Sequence, residues 1–459
     1  MRLLLFLACT DPHGEPQKVP DDSHSPERDQ GLMLHDPASA LQAYAWEQLR
    51  QLHTRGAVLI QTDTLRADHL PWYGYSRNTL PSLSAREGWL VVDRHYSSSS
   101  WTFPATASLL TSRYVRSHQL IGIRSPSAAT AIGPFYQDYL PTQGVSVAWF
   151  NGNMSMERTN LLEGWETVES VGDEPENGAQ LLERALAWVQ SLPADQPFLV
   201  MVQPMDPHRP WLPAAEDQWT WANYSTAPFS LDTNEEAQTA AVDEIMQSGT
   251  TQEKDALAQL LRDVYDEELL GLDRGVEQFL QGLEAGGLAE DTLVVFTADH
   301  GESLFDVPGA FGHSGSLREE LVHIPLAYYH PSFRSKVVEG CLSSHVDVLP
   351  TLATVLGVEP MPDTDGIPFP CRDYAVSELF DEGDLGPVLD IVNVEARNIR
   401  VEVACNSGQV SGFDLSTDPA AVDRGPGQDL PDGLSLMNSL AAEVEAAKAA
   451  FPEVSCVWP

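Results

Sequence analysis

The chain has 459 residues, more than one hydrophobic core usually organises, and its hydrophobic content of 42% is that of a globular protein. Its 26 basic against 67 acidic residues leave a formal charge of −41 (26 − 67), which repels phosphate backbones and argues against nucleic acid as a partner. An anionic substrate therefore has to meet a local positive centre.

The opening MRLLLFLACTDPHGEP places one basic residue before a short apolar run, Leu3 to Ala8, and then Cys9. This order is that of an abbreviated bacterial lipoprotein export signal with Cys9 as the lipidated residue, too short to span a bilayer. A frayed apolar terminus or a misassigned start is the alternative reading. Export would put the chain in the periplasm or outside the cell, with a possible membrane tether through Cys9. Residues 10–37, rich in Pro, Asp, Ser and Gly, read as a flexible tether. Without Cys9 the cysteines form an even set, Cys341, Cys371, Cys405 and Cys456; two disulfides in an oxidising compartment or free buried thiols both fit.

From there the pattern becomes globular. The apolar spacing of 41–53 predicts a helix, and GAVLIQTDTL (56–65) a buried strand. Strand-like 145–153, helix-like 179–192, strand-like 198–206, helix-like 269–287 and strand-like 292–303 follow. Such alternation predicts a mainly parallel sheet covered on both faces, a three-layer α/β/α sandwich over 38–360. Residues 212–262 are polar and irregular, an insertion placed to cover a site. In 361–459, RNIRVEVAC and GQVSGFDL read as antiparallel strands and SLMNSLAAEVEAAKAAF as a closing helix, a small α+β subdomain.

Ligands of such sheets bind beyond the carboxyl ends of the strands. Asp63 follows VLIQT, Asp206 and His208 follow FLVMVQPM, and Asp299 with His300 follow LVVFTA. A single aspartate there caps a helix or a turn; three deliveries to one rim point to a divalent metal, which carboxylates and imidazole neutralise and hold together.

The blocks VLIQTDTLRADHLPWYGY, WTFPATASLLTSRY, QPMDPHRPWLP, VVFTADHGESL with GHSGSLREELVHIPL, and SHVDVLPTLATVLG resemble, in order, those of the sulfatase family within the alkaline-phosphatase-like superfamily, and FDLSTDP (413–419) resembles the family's C-terminal turn. The resemblance implies that Asp63, Asp299 and His300 bind one divalent ion, of which Ca, Mg, Mn and Zn all remain open. Thr64 stands where many sulfatases have a second aspartate. His313 resembles the basic residue on the substrate anion, and His208 an oxygen contact or leaving-group acid; each is otherwise a loop or turn histidine. Arg113 and His118 sit where relatives keep basic residues near the nucleophile, with surface charge as the other reading. Glu302 reads as a supporting partner or helix cap, His345 and Asp347 as structural, and Asp68 as fixing its loop.

The family's signature has a cysteine two residues before a proline, converted to formylglycine. Here Pro104 matches the proline, so the nucleophile position falls on Thr102, and no cysteine occurs between Cys9 and Cys341. Formylglycine is excluded. A threonine hydroxyl is a weak nucleophile that metal coordination activates, so Thr102 is expected both to attack and to touch the metal. Thr102 also begins the helix that ATASLLTS suggests, whose first N–H groups favour anions. The expected activity is hydrolysis of sulfate or phosphate esters. Transfer of a phosphoryl-alcohol group, as in the superfamily's phosphoglycerol transferases, and a dead scaffold that only binds are the alternatives. The oligomeric state is left open.

Overall fold

Fully buried apolar residues make the central strand: Ala57, Val58, Leu59 and Ile60 are all at most 1% exposed, each large one stabilising the fold by roughly 1.5–3 kcal/mol. In the computed structural model, which describes residues 46–170, 178–227, 235–307, 309–334, 336–383, 386–396, 399–405, 407–415, 433–450 and 456, this strand is β1 (Gly56–Thr62). The leader with Cys9, the tether, the first residues of the 41–53 helix and residues 416–419 of the FDLSTDP turn lie outside the described residues.

The large sheet also contains β2 (Trp89–Tyr96), β3 (Ser146–Asn151), β4 (Thr167–Ser170), β5 (Phe198–Gln203) and β6 (Thr292–Ala298). After the two-residue strands β7 (Ser303–Leu304) and β8 (Phe311–Gly312), it is completed by β9 (His323–Tyr329) and β10 (Lys336–Ser344). The order is β10-β2-β9-β6-β1-β5-β3-β4. β9 pairs antiparallel with both of its neighbours, and the other pairs are parallel. The expected mixed, mainly parallel sheet is therefore present.

Alternation along the strands feeds two cores. Val58 and Ile60 face one, with Leu181, Leu182 and Ala185 of the helix Gly178–Ser191 and Leu257, Leu261 and Val264 of the helix Thr251–Ala285. Ala57 and Leu59 face the other, with Leu109 and Leu110 of the helix Thr102–Thr111 and Leu349 and Leu352 of the helix Val348–Val355. These are the three layers.

The helix expected at 269–287 begins instead at Thr251, inside the stretch read as insertion. Its start is a capping box: Glu253 N–H donates to Thr250 Oγ1 at 3.3 Å and Thr250 N–H to Glu253 Oε2 at 2.7 Å. Its polar first turns hid the Leu257-Leu260-Leu261-Val264 stripe from a reading by composition. A helix Glu235–Ser248 precedes it.

The C-terminal region forms a four-stranded antiparallel sheet, β11 (Ala375–Gly383), β12 (Gly386–Ala396), β13 (Ile399–Ala404) and β14 (Gln409–Asp414), followed by the helix Gly433–Ala450. The two strands read from RNIRVEVAC and GQVSGFDL pair antiparallel; β11 and β12 escaped the reading because acidic residues and glycine interrupt their apolar pattern. β11 is fastened to the serine run before Thr102: Ser377 Oγ donates to the Ser97 carbonyl at 2.7 Å and Glu378 N–H to the Ser98 carbonyl at 2.9 Å. Disulfides join Cys341 to Cys371 and Cys405 to Cys456, the oxidised alternative for these four residues. The Trp46 indole N–H points at the first of them, 3.2 Å from Cys341 Sγ.

Candidate active site

β1 and β6 are neighbours with Thr62 opposite Ala298, so the residues that follow, Asp63 and Asp299, leave the sheet side by side. Asp299 N–H donates to the Thr62 carbonyl at 3.0 Å and Asp63 N–H to the Pro204 carbonyl at 3.1 Å. Thr64 turns the chain with φ of 60°. Its N–H donates to Asp299 Oδ1 at 3.1 Å, and His300 N–H donates to the same oxygen at 2.6 Å. Asp299 Oδ2 is buried with no hydrogen-bond partner, and so is Asp63 Oδ1. Each carboxylate is thus held by one oxygen and presents the other.

His300 completes the cluster. Its Nδ1 lies 2.8 Å from the Gly301 carbonyl; an acceptor there makes Nδ1 the protonated nitrogen and leaves the Nε2 lone pair facing the aspartates. One donor atom from each of Asp63, Asp299 and His300 lies within 4.8 Å of the others, and all three residues are buried. Burial and the Asp299 charge raise the Asp63 carboxyl above its usual range. Burial pushes Asp299 up to about 6 against the two N–H donors, and burial with His313 nearby lowers His300 to about 3. Two buried carboxylates with presented oxygens and an unprotonated imidazole are the chemistry of a divalent-cation site, and the residues fit one. Thr64 keeps the turn and adds no third carboxylate.

Thr102 reaches this point from the opposite side. It opens the helix Thr102–Thr111, whose N-cap Trp101 is extended, with φ of −160°, and offers no side-chain cap. The first helical N–H groups are therefore left to face the site. Thr102 Oγ1 is 3.2 Å from His300 Nε2 and 3.4 Å from Asp63 Oδ2. Of the other hydroxyls of the stretch, those of Ser98, Ser99 and Ser100 are buried with no hydrogen-bond partner, and those of Ser97, Thr106 and Thr111 are engaged elsewhere. Ser97 Oγ lies 2.6 Å from both the Ser99 and the Asp299 carbonyl, one of which takes its hydrogen, and Thr111 Oγ1 donates to the Ala107 carbonyl at 2.7 Å. Thr106 Oγ1 lies 3.5 Å from Gln61 Oε1 under the helix.

The cationic side of the site comes from the loops after β5 and β6. The His313 ring centroid is 4.5 Å from that of His300 and 5.3 Å from that of His208. His313 Nδ1 pairs with Glu302 Oε1 at 3.0 Å, and Arg209 Nε stands 3.7 Å from Glu302 Oε2. Burial disfavours the His313 charge, but Glu302 outweighs it and raises the imidazole above its ordinary range. His208 directs Nδ1 to the Arg209 carbonyl at 2.5 Å, which leaves its Nε2 for other work. Glu302 therefore supports His313, as its place after Asp-His-Gly suggested.

Arg113 and His118 are not brought to this site. Arg113 lies 11 residues beyond Thr102 (113 − 102), past the far end of the helix, roughly 16 Å along its axis, and donates from Nη2 to the Asp363 carbonyl at 2.6 Å. His118 is buried beneath that helix, its Nδ1 accepting from Leu120 N–H at 3.1 Å and its Nε2 lying 3.0 Å from Ser108 Oγ. The resemblance that set them near the nucleophile took no account of the helix Thr102–Thr111 that lies between. Asp206 also turns away, its Oδ2 accepting the Gly178 N–H at 2.9 Å at the start of a helix. One neighbour was missed: Asn153 Nδ2 donates to Asp63 Oδ2 at 3.3 Å. It follows β3 as Asp63 follows β1, so the strand-end rule would have found it.

Arg66 Nη2 holds Asp68 at 2.8 Å. His345 Nε2 meets the Ala298 carbonyl at 2.7 Å, and Asp347 accepts Ser344 N–H at 2.9 Å. All three are structural, as expected.

A mainly parallel sheet between two helical layers thus presents two aspartates and a histidine at its carboxyl rim. The sulfatase family profile matches residues 56–358, and the chain belongs to that family. It is 38% identical over 93 residues to the Low-salt glycan biosynthesis sulfotransferase Agl7 of Haloferax volcanii, a match covering 20% of this chain and 23% of the relative. The chain thus spans about a quarter of the length of that curated relative. Two solved structures share the fold over nearly their whole length. BT4656 in complex with its substrate D-glucosamine-2-N,6-O-disulfate has a TM-score of 0.67 at 16% identity, covering 88% of this chain and 99% of that one. The phosphonate monoester hydrolase of Silicibacter pomeroyi has a TM-score of 0.67 at 18% identity, covering 87% and 96%.

Proposed function

We propose that the protein is a divalent-metal-dependent hydrolase of sulfate or phosphate esters in which Thr102 is the nucleophile. The observation that carries this reading is the Thr102 hydroxyl, within 3.4 Å of both Asp63 Oδ2 and His300 Nε2. Asp63, Asp299 and His300 would hold the ion, which when bound supplies positive charge that lowers the hydroxyl pKa and offsets the charge of the substrate.

Thr102 Oγ1 attacks sulfur or phosphorus as its proton passes to Asp63 Oδ2. The bond from that centre to the alcohol oxygen breaks in line, and a protonated His208 returns a proton to the departing alcohol. His313, held by Glu302, steadies the non-bridging oxygens. Water then attacks the same centre and gives a proton to His208, while Asp63 returns its proton to Thr102 Oγ1 as the bond to the inorganic anion breaks. A phosphorus centre suits this route better, because a sulfothreonine lacks the hydroxyl by which a formylglycine hydrate expels sulfate. The phosphonate monoester hydrolase among the fold relatives is in keeping with that preference.

The test is a panel of 4-nitrophenyl sulfate, phosphate, phosphodiester and phosphonate esters with Mg, Ca, Mn and Zn, together with mass spectrometry of quenched enzyme for a phosphoryl or sulfuryl group on the Thr102 peptide. Turnover on every ester unchanged in Thr102→Ala would end the reading. The sulfotransferase name of the Haloferax relative favours a second one, transfer to an acceptor alcohol; added alcohols would then divert the product from the inorganic anion. The disulfides support export of the chain, and any lipid tether at Cys9 is part of that proposal.

A further inference from the structure

Asn153 ends the turn after β3, and both ends of its side-chain amide are directed. Its Oδ1 accepts Ser155 N–H at 3.0 Å, capping the short 3-10 turn Met154–Arg158. That fixes the other end as the donor, and Nδ2 donates to Asp63 Oδ2 at 3.3 Å, the same oxygen that Thr102 Oγ1 approaches at 3.4 Å. The backbone beneath is also held: Asn153 N–H donates to Asn151 Oδ1, and Asn151 Nδ2 donates back to the Asn153 carbonyl, each at 3.0 Å. Asn151 itself is fully buried. The amide is therefore a rigid, neutral donor beside the nucleophile, and an amide nitrogen carries two hydrogens, of which Asp63 takes one. Asn153 is half-buried, so the second hydrogen meets whatever binds there.

We propose that Asn153 is an anion-binding residue that donates its second amide hydrogen to a non-bridging oxygen of the ester held against Thr102, and that the same amide keeps Asp63 Oδ1 turned toward the ion. The proposal rests on the hydrolase reading and deepens it. A donor fixed before the substrate arrives needs no reorganisation as charge grows on that oxygen. Burying an ester oxygen against Asp63 without such a donor would set two acceptors face to face.

Two variants separate this role from simple capping. Asn153→Asp keeps an acceptor for Ser155 N–H and removes both donors; Asn153→Ala removes both functions. With a hydrolysed 4-nitrophenyl ester, kcat/KM is expected to fall about 10²-fold in Asn153→Ala, the usual effect of losing one preorganised donor, and further in Asn153→Asp. Inorganic phosphate and sulfate, titrated calorimetrically, should bind more weakly to both variants than to the wild type. Wild-type turnover and anion binding in Asn153→Asp, with only a lower Tm in Asn153→Ala, would reduce Asn153 to a cap and overturn the proposal. If the wild type turns over no ester, the hydrolase reading fails on its own. Asn153-dependent binding of the inorganic anions would then still uphold the anion site, and Asn153-independent binding would end it.

Discussion

Two clusters of buried aspartate and histidine lie close together in this protein and are built on opposite terms. At Asp347, 1% exposed, every side-chain oxygen is engaged: Ser344 N–H and Arg372 Nε on Oδ2, Ile367 N–H and Arg372 Nη2 on Oδ1, all within 2.9 Å. At Asp63 and Asp299, equally buried, one oxygen of each has no hydrogen-bond partner and only the unprotonated His300 Nε2 nearby, at 3.7 and 3.5 Å. The first arrangement is closed and stabilises the fold; the second is incomplete without something positive. Residue type and burial are the same in both clusters, so completeness of pairing is what marks the functional one.

Breaking the incomplete cluster should cost activity. Thr102→Ala is expected to lower kcat/KM by at least about 10³-fold with unchanged circular dichroism and Tm, while Thr102→Ser retains part of the activity; steady-state kinetics and a melt read both. Breaking the closed cluster should cost stability. Asp347→Asn strands the Arg372 guanidinium and should lose about 3–5 kcal/mol in denaturant unfolding.

The same region is stapled by Cys341–Cys371, whose ends are 30 residues apart. Replacing both cysteines with serine should lower stability by about 3 kcal/mol, and alkylation of the unreduced wild type should label neither. Asp63→Asn should act with the opposite sign. In EDTA it removes a buried carboxylate that also repels Asp299 and should raise the midpoint of denaturant unfolding, while metal analysis of the variant shows the ion lost. An equal fall in Asp63→Asn and Asp347→Asn would erase the distinction between the clusters.

The smallest effect concerns pH. Burial holds His118 down to about 3, below its unfolded value, so at intermediate pH the unfolded chain binds the extra proton. Its contribution is complete above the ordinary histidine range and is lost as pH falls toward 3. Urea midpoints measured from pH 7 to pH 4 should therefore drop less steeply in His118→Asn than in the wild type.

Much of this was readable in the chain. Apolar runs such as VLIQT and LVVFTA are buried strands whatever their neighbours, and a parallel sheet sends their ends to one rim, so Asp63, Asp299 and His300 could be grouped before any coordinates. Thr102 followed from Pro104 and from the absence of cysteine. The failures share a cause: side-chain direction is not in the spacing. Asp206 and Asp63 both follow a strand, yet one caps a helix and the other faces the site. Arg113 and His118 were carried off by the helix that presents Thr102. Asn153 was overlooked because an amide does not announce chemistry as a carboxylate or imidazole does.

The pairing of Thr62 with Ala298 across 236 intervening steps of chain (298 − 62) also bears on how the molecule is made. Closing so long a loop is slow compared with forming helices and local hairpins. During synthesis β1 emerges first and waits, with β5 as its only available flank, until β6 has left the ribosome. The two carboxylates meet at the moment that ladder zips, so no earlier intermediate can possess the cluster of Asp63, Asp299 and His300. On the proposed reading, capture of a divalent ion marks the pairing of β6 with β1, and time-resolved uptake would register that long-range step, with β9 and β10 still to be added to the sheet.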